Sequence, residues 1–192
     1  MKLVKIRMSR ILGLSLLMAA IGGSVQAQGF FISAPAYGGS GCPAGTATLT
    51  SSPDSQESII LFDQFYTDSW EGNRALVRKA CALSIPVEVP QGFRLGLSIQ
   101  TQGTFWADPG GSISVSREVF LAGNRGQILS QQSDGPDQGE ITLDQTVDDQ
   151  SITWSDCGES TNLRANLSLR SKGPASIQID ALRLQLHIER CR

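Results

Sequence analysis

The segment IQIDALRLQLHI, residues 177–188, decides the fold class. In its second half an apolar residue recurs at every other position, at Leu182, Leu184, Leu186 and Ile188. The residues between and after them are polar: Arg183, Gln185, His187 and Glu189. Side chains two apart share one face of an extended chain, so this alternation predicts a β-strand with one face on a core and the other in water.

The same kind of pattern extends outward through the chain. Alternating or short apolar runs predict further strands at residues 46–51, 58–62, 81–89, 93–99, 112–121, 140–147, 151–154 and 163–169. Gly92 supplies a turn between two of them. Many short strands separated by turn residues predict an all-β fold, a two-sheet antiparallel β-sandwich in which a jelly-roll order is possible.

Three segments are predicted to lie outside the strands. Residues 33–45 are rich in Gly, Ala, Pro and Ser and predict a loop. Residues 131–139 predict a second loop, because they contain the turn cluster Asp134-Gly135-Pro136-Asp137. Residues 73–79 are predicted to form one or two helical turns.

The N-terminus has the three parts of an export signal. Positive charges at Lys2, Lys5, Arg7 and Arg10 precede an apolar run at 11–21, and Val25-Gln26-Ala27 offers small residues to a signal peptidase. We therefore expect a signal peptide at 1–27, a Gly/Ser/Pro-rich N-terminal segment at 28–45 and a single β-sandwich domain at 46–192. The mature chain is expected to have no membrane span, and to be extracellular or, in a Gram-negative producer, periplasmic.

The charge of the mature chain argues against one class of partner. The leader holds four of the 16 Lys and Arg and none of the 18 Asp and Glu, which leaves 12 cations against 18 acids, a formal net charge of −6. Nucleic acid is therefore not an expected partner, because binding to phosphate backbones relies on clustered Lys and Arg.

Four cysteines, Cys42, Cys81, Cys157 and Cys191, span most of the mature chain. They allow three disulfide pairings, and the spacing alone does not choose among them. We favour Cys42 with Cys81 and Cys157 with Cys191, which closes two loops of similar size. A zinc site would need ligands close in sequence, and that spacing is absent, so neither a metal nor a cofactor is expected.

Short stretches around these cysteines resemble one family. They are Gly39-Ser40-Gly41-Cys42-Pro43, Leu61-Phe62-Asp63, Arg78-Lys79-Ala80-Cys81, Val89-Pro90-Gln91-Gly92-Phe93, Gly135-Pro136, Trp154-Ser155-Asp156-Cys157-Gly158 and Arg190-Cys191. Their order and the four cysteines are similar to the domain-of-unknown-function 4360 family, with Asp156 where proline is expected. The resemblance implies an exported, cysteine-bridged domain of fungi and bacteria, and it carries over no catalytic or binding residue.

Catalytic groups are sparse. The single histidine, His187, falls on the outward face of its strand, and no nucleophile elbow is present, so a Ser-His-Asp hydrolase is disfavoured. A carboxylate pair of the glycosidase type would draw first on Asp63 and Glu88. Calcium would draw on Asp134, Asp137 and Glu140 or on Asp144, Asp148 and Asp149, although neither spacing matches a calcium loop.

Aromatic residues on a rigid extracellular β-sandwich favour binding over catalysis, and core packing is the alternative role for each of them. Trp106 and Phe105 precede a probable turn, and Trp70 is a further candidate, whereas Trp154 beside Cys157 is expected in the core. We therefore predict a noncatalytic extracellular or cell-surface binding module, with a polysaccharide or a surface protein as its partner. The alternatives are a carboxylate-based carbohydrate-active enzyme and a structural envelope or matrix protein.

Overall fold

Twelve β-strands make up the described part of the chain in a computed structural model of the protein. The structure describes residues 31–53, 56–70, 76–121, 124–145 and 154–191. The strands are β1 (Phe31–Ile32), β2 (Ala36–Gly38), β3 (Ala47–Ser51), β4 (Glu57–Phe62), β5 (Tyr66–Asp68), β6 (Val77–Glu88), β7 (Phe93–Ala107), β8 (Ser112–Leu121), β9 (Asn124–Asp134), β10 (Asp137–Gln145), β11 (Thr161–Lys172) and β12 (Ala175–Arg190).

The strands form two antiparallel sheets, which confirms the predicted all-β sandwich. Sheet A has the order β1-β6-β11-β8-β9, with β2 also paired to β6. Sheet B has the order β10-β7-β12-β4-β3, with β5 also paired to β12. The short strands β1 and β2, from the predicted N-terminal segment, both add to the edge of β6. No helix long and apolar enough to cross a bilayer occurs in the described ranges.

Alternation along each strand builds the core between the sheets. In β11 every second residue from Leu163 to Ser171 is buried, and the residues between them are exposed. In β12 the buried positions change from odd to even numbers, because a bulge between Ile179 and Ala181 inserts one residue opposite β7. The bulge explains why Ile177 and Leu182, which are an odd number of residues apart, both face the core.

One charged side chain lies inside this apolar core. Arg117 of β8 has no exposed surface and is the largest of the fully buried side chains that the structure describes. Its Nη1 donates hydrogen bonds to Thr101 Oγ1 at 2.9 Å and to the Leu143 carbonyl at 2.8 Å. Nε and Nη2 have no hydrogen-bond partner among the described residues. The alternation of β8 places Arg117 in register with the buried Ile113, Val115, Val119 and Leu121, so the side chain enters the core from the apolar face of the strand.

Two disulfides are present, and they confirm the favoured pairing. Cys42 joins Cys81 of β6 with a Cα–Cα distance of 5.3 Å, and both residues are buried. Cys157 joins Cys191 at the end of β12 with a Cα–Cα distance of 6.1 Å, nearer the surface. Each bridge closes a loop of similar length and stabilises the fold by about 4 kcal/mol in the chain-entropy description.

Three local predictions need correction or fall outside the description. The predicted loop at 131–139 is wrong, because β9 continues to Asp134 and β10 begins at Asp137, so Gly135-Pro136 alone makes the turn. The predicted helical turns at 73–79 are wrong for Val77–Lys79, which begin β6, while residues 73–75 lie outside the described residues. Of the predicted strand at 151–154, only Trp154 is described, in an isolated bridge with Gly96.

Candidate functional site

The outer face of sheet B gathers aromatic side chains at the end where β12 begins. Trp106 of β7 lies opposite Ser176 of β12, which in turn lies opposite Asp68 of β5. In the next outward-facing row Thr104 lies opposite Gln178, which lies opposite Tyr66. Directly paired residues point to the same face of a sheet, so Trp106 and Tyr66 project from one surface with β12 between them.

Three large aromatic residues are half exposed at this place. Trp106 is 48 % exposed, Tyr66 47 % and Trp70, two residues beyond the end of β5, 50 %. We call these three residues the aromatic face. Scattered exposed apolar residues need no explanation, but several rings at one end of one sheet face are typical of an interaction site.

Local interactions hold the three aromatic residues in place. The indole Nε1–H of Trp106 donates to Asp108 Oδ1 at 3.0 Å. The backbone N–H of Trp70 donates to Asp68 Oδ1 at 2.8 Å, closing a tight turn. The ammonium of Lys79, from the edge of sheet A, lies 4.5 Å from the centroid of the Tyr66 ring. These contacts reduce the conformational freedom that a ligand would otherwise have to remove.

Between Trp106 and Tyr66 runs a shallow groove of about 410 Å³. Its polar lining includes Asp68, Thr104, Ser176 and Gln178. Gln178 Nε2 donates to Asp180 Oδ1 at 2.5 Å, which orients the amide. Flat apolar rings beside hydroxyl, amide and carboxylate groups suit a ligand whose faces carry C–H groups and whose edges carry hydroxyls.

The three predicted binding residues therefore have different positions. Trp106 and Trp70 are exposed on the same end of sheet B, whereas the Phe105 side chain faces the core and is only 9 % exposed. Phe105 is next to Trp106 in the strand, and neighbouring side chains point to opposite faces. Sequence reasoning missed Tyr66. The run Phe65-Tyr66-Thr67 has no apolar–polar alternation that would mark the tyrosine as exposed, although in the structure its two neighbours are buried and it is exposed.

The structure does not bring the candidate carboxylates together. Asp63 follows β4 of sheet B, and its backbone N–H donates to the Thr46 carbonyl. Glu88 ends β6 of sheet A and is exposed. Glu88 lies at one end of β6, and the β11–β12 connection lies at the other end. Asp63 is nearer to the end of the sandwich that holds this connection, so the two acids are far apart along the strands. Glycosidase carboxyl pairs are roughly 5 to 9.5 Å apart, so these two acids do not form such a pair.

The calcium candidates are also not gathered. Asp137 accepts a hydrogen bond from the hydroxyl of Ser133 across the β9–β10 turn. Among the described residues, no cluster of three or more His, Cys, Asp and Glu side chains is placed to hold a metal ion. Asp148 and Asp149 lie outside the described residues.

His187 has an unexpected partner. It is half-buried on the outward face of β12, and its Nε2 is 2.9 Å from Ser98 Oγ. Burial lowers the pKa of His187, so the imidazole is neutral at neutral pH. No carboxylate within the described ranges hydrogen-bonds to the imidazole. The Ser98–His187 pair therefore lacks the acid that orients the histidine in a nucleophilic triad.

Trp154 was expected in the core and is half-buried. A Cβ atom added to Gly96 would lie only 2.9 Å from the Trp154 ring, so the glycine makes room for the indole. The guanidinium of Arg94 lies 4.7 Å from the centroid of the Trp154 ring and also forms an ion pair with Glu189. Trp154 is thus part of the scaffold around the second disulfide and does not join the aromatic face.

The fold and its bridges define this molecule as a disulfide-bonded, all-β sandwich protein. The chain belongs to the family described as Domain of unknown function (DUF4360), whose sequence profile matches residues 28–189. An uncharacterized secreted protein of Arthroderma benhamiae is 30 % identical over 137 residues, which are 70 % of this chain and 56 % of that protein. The chain thus spans about half the length of this relative.

Two solved structures were also found to be similar. TmCBM61 in complex with beta-1,4-galactotriose matches 82 % of this chain and 88 % of its own, at 12 % identity and a TM-score of 0.28. The GH31 alpha-xylosidase from Xanthomonas citri matches 81 % of this chain and 19 % of its own, at 11 % identity and a TM-score of 0.22.

Proposed function

We propose that this protein is a noncatalytic extracellular or cell-surface binding module that holds a neutral polysaccharide chain on the aromatic face of sheet B. The observation that carries the proposal is that two half-exposed aromatic side chains, Trp106 and Tyr66, each held by a side-chain contact, flank one polar-lined groove, with the half-exposed Trp70 two residues beyond β5. We further propose that residues 1–27 are a removable export signal and that the mature chain is one domain.

In the proposed contact, the aromatic rings stack on the sugar and the polar groups bond to its hydroxyls. Trp106 and Tyr66 offer flat apolar surfaces on which pyranose C–H faces can stack. Gln178, Thr104 and Asp68 lie between or beside the rings and offer donors and acceptors to sugar hydroxyls. Because the groove is shallow and open, a long polymer can lie across it without threading. A large, rigid aromatic residue in such a position commonly dominates the binding energy.

The disulfides support the proposed location. Both described bridges require an oxidising compartment to persist, and the fungal relative is a secreted protein. A rigid, bridged sandwich keeps its outer faces fixed outside the cell, where the aromatic residues would meet polymers rather than cytosolic metabolites.

The test is depletion of the oxidised mature protein by a panel of insoluble polysaccharides, with soluble sugar release measured in the same tubes. We expect depletion without release, and an affinity about tenfold lower for Trp106→Ala. Trp106→Phe should retain part of the binding, because it keeps a ring. Ile128→Ala is the matched control for neutral polymers: Ile128 is 51 % exposed but lies on sheet A, where it lines a different groove, so its truncation should leave their binding unchanged.

Each other outcome points to a different function. Sugar release would favour the carboxylate-based enzyme. Sedimentation without any polymer would favour a self-associating matrix protein. Binding that Trp106→Ala and Ile128→Ala weaken equally would reject the aromatic face as the site, and no depletion by any polymer would leave a surface protein as the candidate partner.

A further inference from the structure

The outer face of sheet A has a chemistry unlike that of sheet B. Its central strands β6, β11 and β8 present small or polar residues outward, among them Ala80, Ala82, Ser114, Ser116 and Ser168. Small side chains on neighbouring strands leave a trough along the strands. Exposed cations occupy outward positions of β6 and β11: Arg78, Arg164, Arg170 and Lys172. The acids on the strands of this face lie at the end of β6 (Glu88), in an ion pair with Arg125 (Glu118) and on the edge strand β9 (Asp134), so the trough is positive although the chain as a whole is negative.

Two of these cations face each other directly. Arg78 of β6 and Arg170 of β11 are paired residues in the antiparallel register, and both are exposed. Side chains in such a pair start about 5 Å apart, and like charges directly opposite each other destabilise a sheet. Neither arginine has an ion pair or hydrogen bond within the described residues. The fold therefore gains no stability from placing these two arginines opposite each other.

Other arginines of this protein are partnered. Arg94 pairs with Glu189, Arg125 with Glu118 and Arg183 with Glu57. These three arginines each pair with an acid on a neighbouring strand. Arg78, Arg170 and the exposed Arg164 of β11 have no such ion pair within the described residues. The nearest acid on the adjoining outward row, Asp134, is two strands away from Arg170.

Arg78 and Arg170 line a groove of about 550 Å³ whose other walls include Ser114, Ser116, Ser130 and Ser168. We call this the arginine groove. The hydroxyls of Ser116 and Ser168 lie 2.9 Å apart across the strands. A second groove of about 890 Å³ continues over Ala82 and Ser84 and holds Arg164. Arg164 lies on the same strand as Arg170, roughly 20 Å away at the rise of a strand.

We infer that the arginine groove is a second binding site, for a carboxylated polysaccharide such as a polyuronate lying along β6 and β11. A carboxylate between Arg78 and Arg170 would accept bidentate hydrogen bonds from a planar guanidinium and relieve the repulsion between the two cations. The serine hydroxyls can bond to sugar hydroxyls, and Arg164 gives a second charge along the chain. Asp156 and Glu159 line the far part of the second groove and confine the positive stretch to the β6–β11 trough.

The test is affinity electrophoresis and titration calorimetry of the oxidised mature protein with polygalacturonate and with its fully methyl-esterified form. We expect salt-sensitive binding to the acid and none to the ester. Arg78→Gln/Arg170→Gln should lower affinity for polygalacturonate by about tenfold or more, since two charge-assisted contacts are lost. Arg190→Gln removes the same charge from an exposed position on β12 of sheet B, outside the groove and without leaving an acid unpaired, and should change affinity less than about twofold.

Thermal unfolding distinguishes a loss of binding from a loss of folding. Removing an unpaired like-charge pair should leave the melting temperature of Arg78→Gln/Arg170→Gln at or above that of the wild type. Polygalacturonate should raise the melting temperature of the wild type and not that of the double variant.

Several results would overturn the inference. Equal binding of the ester, an equal loss in Arg190→Gln, or no binding of polygalacturonate would each reject it. Equal affinity for single-stranded DNA or for vesicles rich in phosphatidylserine would show a general response to negative charge and would also reject it. Trp106→Ala should not affect polygalacturonate binding, so failure here and failure of the aromatic face are distinguishable.

Discussion

Replacing the buried Arg117 with methionine should make the protein more stable, by about 1 kcal/mol at neutral pH. Arg117 has no exposed surface, and only its Nη1 has hydrogen-bond partners among the described residues. Methionine is unbranched and of similar length, so it can occupy the space of the arginine stem without a charge.

The expected change in stability follows from the cost of burying the charge and from the hydrogen bonds that the substitution removes. Burial lowers the pKa of Arg117 to about 10, an effect that nearby Asp144 partly opposes. Compared with the ordinary pKa of an arginine, this lowering corresponds to about 3 kcal/mol of unfavourable free energy for keeping the guanidinium charged in the core. Losing the donors to Thr101 Oγ1 and the Leu143 carbonyl costs about 1 kcal/mol each. The cost of burying the charge exceeds the loss of the two hydrogen bonds by about 1 kcal/mol, so the methionine variant should be the more stable protein.

The pH dependence gives a second, independent check. The folded pKa of Arg117 lies below the unfolded value, so between them the unfolded chain binds more protons and the stability of the wild type rises with pH. The advantage of Arg117→Met is therefore full below pH of about 10 and shrinks as pH rises through that value. Because both proteins carry the same other titrating groups, the difference between them isolates the guanidinium.

Urea unfolding followed by tryptophan fluorescence, with both disulfides kept oxidised, measures the free energies of unfolding. Arg117→Ala is the control for packing, and its cavity should lower stability by about 2 to 4 kcal/mol. A loss of about 2 kcal/mol or more in Arg117→Met would refute the reasoning, because it would show that the buried charge is a net stabilising group.

Three further changes test the scaffold. Phe105→Ala should lower the free energy of unfolding by about 3 to 4 kcal/mol, whereas the half-exposed Trp106→Ala should lower it by less than about 1 kcal/mol, as urea unfolding would show. Replacing Cys42 and Cys81 together with alanine should cost about 4 kcal/mol by the same assay, and no measurable loss would contradict the assigned bridge. Burial lowers the pKa of His187, so the folded state resists its protonation; relative to His187→Gln, the wild type should lose melting temperature between roughly pH 7 and 5, and parallel curves would exclude this effect.

The sequence predicted the fold where a strand has one face on the core. Residues 112–121 were predicted as a strand, and β8 has the same bounds, because one of its faces is buried along its whole length. Strand β9 was missed because it lies at the edge of sheet A, where side chains such as Gln127 and Ile128 are both exposed and alternation disappears. The apolar positions of residues 177–188 change from odd numbers (Ile177, Ile179) to even numbers (Leu182, Leu184), which indicates an irregularity near Asp180, but that it is a bulge opposite β7 depends on the pairing of the strands.

The candidate sites were predictable only in part. Trp106 was suggested by its place before a turn, and the structure leaves it exposed. Tyr66 was missed because β5 has three residues, and its position beside Trp106 depends on a register with β12 that no local pattern contains. The opposition of Arg78 and Arg170 likewise arises from two strands that are distant in sequence. Each strand shows its own faces, but only the sheet shows which residues become neighbours.

Lys79 is adjacent to Arg78 in β6, but the two side chains point to different faces of the strand. Arg78 lies opposite Arg170, which is exposed, whereas Lys79 lies opposite Leu169, which is buried. Directly paired residues share a face, so the Lys79 side chain leaves the outer face of sheet A, and its ammonium lies 4.5 Å from the centroid of Tyr66 on the aromatic face. We therefore expect the two proposed sites to be independent: the affinity for a neutral polymer should be the same with and without polygalacturonate. If polygalacturonate weakened that binding, linkage would require the neutral polymer to weaken polygalacturonate binding by the same factor, and the two faces would be coupled.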